Sequence, residues 1–144
     1  MMTRTVTSTR RLVGRLTFGA DLLEELGEIC RRETVDLGWI AGLGAVSKAC
    51  LAYYDQRKHE YQSLVIDRPL EITNLVGNVS LRDGSPFVHA HVTLADGAGH
   101  AYGGHLAAGT IVFACEFVLE VLSGPALERA LDETTGLYLW KGSV

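Results

Sequence analysis

Apolar residues recur along this chain in two rhythms. Leu22, Leu23, Leu26, Ile29 and Cys30 fall at helical spacing, which predicts a helix from Asp21 to about Glu33. Asp21 suits its start, because a carboxylate favours the positive end of a helix. Elsewhere the apolar positions form runs of strand character. The segments are 11–17, 38–54, 61–66, 70–81, 86–94, 101–106 and 110–122. Polar dividers separate them, among them Asp67-Arg68-Pro69, Arg82-Asp83-Gly84-Ser85 and the hairpin turn Asp96-Gly97-Ala98-Gly99. Pro125 fits the first turn of a short helix reaching about Glu133, a position where its missing N–H costs nothing. The order predicts an α+β fold: a central, largely antiparallel β-sheet, one helix early and a short C-terminal helix. With no repeat or linker in sight, residues 11–144 read as a single domain behind a flexible N-terminus, residues 1–10.

Composition narrows the class without naming a chemistry. At 144 residues, 47% hydrophobic and 21% charged, the chain has enough apolar surface for one core. Its start is polar, and no apolar run reaches membrane length, so a cytoplasmic protein is expected. Cys30, Cys50 and Cys115 are far apart and set among apolar residues, as reduced core cysteines are. A net charge of −4 works against direct binding to a polyanion, which draws its strength from clustered Lys and Arg.

The chemistry begins at His89-Ala90-His91. Side chains alternate along a strand, so both imidazoles lie on one face. If the following turn is centred on Ala98, the residue opposite His91 is His105. Opposed residues have β-carbons about 4.5–5.5 Å apart, close enough for two rings to share one ion, with His89 entering diagonally. Three neutral imidazoles suit zinc and its neighbours, and leave a coordination position for water or a ligand. Gly103 and Gly104 precede His105 and suggest a close approach by another backbone or by a small ligand, hence a cofactor-side wall. Glu71 and Glu116, acids within apolar strands, are the candidates for a proton-handling or ligand-orienting carboxylate. His59 and His100 fall in turns and read as solvated. Gly42-Leu43-Gly44 lacks the third glycine and the lysine of a nucleotide loop, and reads as close backbone packing. Ser47 and Ser80 have no His or Asp partner at a recognisable spacing.

Several of these segments together resemble a known family. Gly14-Arg15-Leu16, the Gly-Leu-Gly-Ala-Val-Ser run at 42–47, and Leu-Glu-Ile-Thr-Asn-Leu-Val-Gly-Asn-Val-Ser at 70–80 are three of them. Asp-Gly-Ser-Pro-Phe-Val-His-Ala-His-Val at 83–92 and Gly-Gly-His-Leu at 103–106 complete the set. The chain resembles the PPC domain, the plant and prokaryote conserved domain, from about Arg11 to Trp140. That resemblance implies an antiparallel α/β fold, a homotrimer and, in prokaryotic members, a metal held at the positions of His89, His91 and His105. Plant members join the domain to an AT-hook and to DNA binding, and stand-alone prokaryotic members carry a DNA-binding label. No Arg-Gly-Arg-Pro hook core occurs here, and Arg10, Arg11 and Arg15 make only a small basic cluster. The expected function is therefore binding of a divalent metal, zinc first, at an open site that acts on or senses a small molecule. The alternative is a DNA-binding or transcription-associated protein.

Overall fold

In the computed structural model, which describes residues 2–141, Asp21 caps the helix as its chemistry requires. Its side chain accepts from the backbone N–H of Leu23 and Glu24, at 3.0 and 3.1 Å, and α1 runs Leu22–Arg32. Glu24 and Glu25 lie in the first turn and Arg31 and Arg32 in the last, matching the helix dipole at both ends. Leu22, Leu26, Ile29 and Cys30 are its buried stripe, and they join the same core as Ile40, Leu75, Leu94 and Leu106 of the strands.

The strands are β1 (Thr7–Arg15), β2 (Gly38–Asp55), β3 (Glu60–Ile66), β4 (Leu70–Arg82), β5 (Ser85–Ala95), β6 (Ala101–Leu106), β7 (Ile111–Ser123), β8 (Glu128–Asp132) and β9 (Leu137–Trp140). They form one sheet in the order β1-β7-β2-β6-β5-β4-β8-β9, with β3 paired to β2. β2 also pairs with β4 through its first half and meets β6 through its second, so β2, β4, β5 and β6 close on themselves around the apolar core. The closure needs a bent strand. Register shifts between Gly42 and Gly44 and around Val46 supply the bend, and Gly44 takes a φ of 147° that a side chain would strain. A β-carbon on Gly42 would sit 2.9 Å from the carbonyl oxygen of Glu116, so the glycine pair serves close strand packing, as expected.

Two expectations are corrected. β1 opens at Thr7, four residues early, because the edge of β7 pairs with it as far as Thr7 opposite Ser123; only part of the stretch expected to be flexible lies outside a strand. The short C-terminal helix is absent: residues 128–140 form the β8–β9 hairpin. Leu127 and Arg129 alternate inward, β8 pairs in parallel with β4 at Leu81 and Arg82, and Leu81 donates to the Leu127 carbonyl at 2.9 Å. A free sheet edge thus outweighs weak local helix preference. Met1 and residues 142–144 of the expected domain lie outside the described residues. Among the described residues no helix is long and apolar enough to cross a membrane. Cys30 and Cys115 are buried and unpaired, and burial pushes both thiols up to about 11, so they behave as core.

Candidate metal centre

The turn between β5 and β6 fixes the register on which the site depends. Asp96 accepts from the backbone N–H of Ala98 and His100, at 2.9 and 3.0 Å, and from the Tyr102 hydroxyl at 3.0 Å. His91 then lies opposite His105, as the turn composition predicts. His89 stands one pleat further along β5, opposite Asn78 of β4. The ring centroids are 5.3 Å (His89–His91), 5.0 Å (His89–His105) and 5.5 Å (His91–His105) apart. One nitrogen from each of His89, His91 and His105 lies within 4.8 Å of the others, so the group could hold a metal ion. Zn–N bonds of about 2.0–2.1 Å in a tetrahedral site set ligand atoms roughly 3.4 Å apart, so the rings must draw closer together around an ion. The donor chemistry fits as well. Burial, with the neighbouring His105, Arg129 and His91, lowers His89 to about 4, and burial, with His91 and Arg129, lowers His105, so both rings are neutral near pH 7.

Asp96 makes the hairpin itself pH-sensitive. Desolvation would raise its carboxyl, but the hydrogen bonds from His100, Ala98 and Tyr102 outweigh it and hold the group at about 2. Because the folded value lies below the unfolded one, the stabilisation is complete above about pH 3.8 and is lost as pH falls toward 2. Asp96→Asn is expected to lower the melting temperature at neutral pH and to flatten its acid decline across that window. Parallel melting curves for the two proteins would reject this if their acid limbs coincide.

The three rings line a cavity of about 720 Å³ bounded by β2, β3, the end of β4, β5, β6 and the β8–β9 hairpin. Gly104 lines it as well, and a β-carbon there would stand 3.0 Å from the Ala52 carbonyl oxygen; its bareness lets β6 press against β2. Gly103 packs toward β5 and is not part of the lining. Glu71 and Glu116 are both exposed and neither lines the cavity, so this chain does not bring them to the histidines. His100 is exposed, as its turn position suggests, with its ring 3.2 Å from Asp96. His59 is exposed, as its turn position suggests, and with a φ of 54° it also lines the cavity.

Sequence reasoning missed other members of the wall, among them Tyr61, Arg82, Phe87, Arg129 and Tyr138. Tyr61 stacks at 5.3 Å from His105, and Arg82 lies 3.6 Å over the Tyr138 ring. Arg129 is buried and donates to Ser80 Oγ at 2.8 Å, Asn78 Oδ1 at 2.8 Å and the Tyr138 carbonyl at 3.0 Å. Arg129 enters the wall through the pairing of β8 with β4, which its own neighbours in sequence do not encode.

Fold and site together define a β-rich domain with one packed helix and an open three-histidine group on one hairpin. The model of the Plants and Prokaryotes Conserved (PCC) domain matches residues 3–123, and the chain belongs to that family. A metal-containing protein of Archaeoglobus fulgidus is 43% identical, with a TM-score of 0.93 over 99% of this chain and 100% of that one. A plant- and prokaryote-conserved protein of Pyrococcus horikoshii is 35% identical, again with a TM-score of 0.93, over 100% of this chain and 99% of that one. A candidate DNA-binding protein of Ralstonia eutropha is 26% identical with a TM-score of 0.80, over 91% and 90%. A segment of the bifunctional protein GlmU from a Synechococcus strain is 33% identical over 124 residues, 85% of this chain. The chain spans only 18% of that curated relative's length.

Proposed function

We propose that the chain binds a divalent transition metal, zinc first, through His89, His91 and His105, and that the ion's remaining position faces a cavity where a small molecule is acted on or sensed. The observation that carries this is the convergence of those three rings on one wall of a 720 Å³ pocket. The metal-containing Archaeoglobus relative supports it. No thiolate joins the group among the described residues, which suits an open site more than a sealed structural clip. Bound there, the ion would supply Lewis acidity or a water of lowered pKa. The protein's part is to hold the rings, through the Asp96 turn and the β4 backing, and to wall the pocket with Tyr61 and Phe87.

The chain works in this reading as a cytoplasmic homotrimer. Val13 and Val118, opposed across β1 and β7, and Trp39 and Leu43 on neighbouring β2 expose 78, 40, 49 and 59% of their surface, an apolar area suited to a second copy. Metal analysis of protein made without a histidine tag tests the central claim: near one zinc or zinc-like ion per chain is expected, and its absence after reconstitution rejects the reading. Chelation then separates roles, since loss of turnover marks a reaction centre and loss of thermal stability alone marks a structural ion.

A second reading, association with DNA, rests on the Ralstonia relative. The basic cluster gives it little, because Arg10 pairs with Glu33 at 3.3 Å and Arg11 with Glu120 at 2.9 Å. Binding to duplex that weakens steeply with salt would support it.

A further inference from the structure

We propose that Arg129 and Arg82 form an anion subsite beside the three histidines, so that the molecule this cavity takes is an organic carboxylate. The inference rests on the proposed function for where the ligand's other end lies, and on the two guanidiniums for its class.

Arg129 is 7% exposed, and its acceptors are a hydroxyl, a side-chain amide and a backbone carbonyl, all neutral. Among the described residues no carboxylate pairs with it. A guanidinium always carries its charge, and a buried charge without a counter-ion is costly. Burial disfavours the charged form of Arg129, the nearby Tyr61 offsets part of that, and Arg82 adds to it; none of these groups is a carboxylate. Arg82, on the same wall, lies over Tyr138 and Phe87, and among the described residues the one carboxylate it pairs with is the exposed Asp83, at 3.9 Å. The single acid in the lining, Glu60, lies 3.7 Å from Lys58. An anion inside the cavity would therefore supply the missing charge.

The geometry suits an oxyanion with an organic body. Three of the five N–H donors of Arg129 are used, leaving one on Nη1 and one on Nη2 for an anion. Tyr54, Tyr61, Phe87 and Tyr138 give the walls faces for a flat apolar body, which free phosphate would leave untouched. A purely structural clamp, tying β8 to β4 and β9, would show the same three hydrogen bonds but no preference for an anion.

Calorimetric titration of the full chain, zinc-loaded, with benzoate, its neutral isostere benzamide and inorganic phosphate tests this. Benzoate is expected to bind at least about tenfold more tightly than either of the others, one decade being a modest return for a charge-assisted pair. Arg129→Gln and Arg82→Gln should each weaken benzoate by a similar factor while zinc content stays unchanged. Arg82 lies at the rim, so its variant keeps the test alive if Arg129→Gln does not fold. Equal binding of benzoate and benzamide, no benzoate binding, stronger binding of phosphate, or full benzoate affinity in Arg82→Gln and in any folded Arg129→Gln would each overturn the subsite. If the wild type retains no zinc yet still selects benzoate over benzamide and phosphate, the metal reading fails and the subsite stands.

Discussion

His91→Ala is expected to leave the fold intact and remove the metal. His91 is the exposed member of the group, so its truncation opens no core cavity, and a surface change of this kind shifts stability by about 0.5 kcal/mol or less. The loss of affinity should exceed the roughly 10- to 100-fold that follows from losing a mere outer partner of a ligand, because a whole nitrogen donor goes. The consequence for stability is indirect. An ion bound only by the folded chain, and present at a thousand times its Kd, adds about 4.1 kcal/mol, which the wild type loses on chelation and the variant never has. Melting curves with and without chelator should therefore separate for the wild type and superpose for His91→Ala. Separation of the variant's curves to the same extent would show that the ion sits elsewhere.

What the sequence revealed of this site, and what it concealed, divides along physical lines. His89, His91 and His105 were legible because their placement depends only on local rules: alternation along β5 and the Asp96 turn that sets the hairpin register. The Asp21 cap and the helical stripe were legible for the same reason. Arg129 was not, since its position follows from β8 adding in parallel to the edge of β4, a contact about 50 residues distant that no local pattern encodes. Glu71 and Glu116, candidates that no local rule could place, met the same limit. Their apolar neighbours marked them as strand residues, but only the sheet's pairing decides which outward-facing residues share a neighbourhood, and these two lie outside the cavity.

The same long-range pairing makes a further pair of substitutions informative. Leu75 of β4 is fully buried in the core, and Leu75→Ala is expected to cost about 2–5 kcal/mol, a large share of the 5–15 kcal/mol that holds a domain folded. Two residues along, Gly77 faces Ala90 of β5, and a β-carbon on it would lie 2.7 Å from the His89 carbonyl oxygen and 2.8 Å from Ala90 Cβ. Neither neighbour can swing aside as a long side chain does. Gly77→Ala must therefore displace the stretch of β5 that carries His89 and His91, with an overpacking cost of about 1–3 kcal/mol. The two variants should consequently rank in opposite orders. Leu75→Ala suffers the greater loss by chemical denaturation but, while folded, keeps near-native metal affinity; Gly77→Ala denatures less readily yet binds metal more weakly. Zinc titrations that place both variants at wild-type affinity would show that the close β4–β5 contact has no part in setting the spacing of the rings.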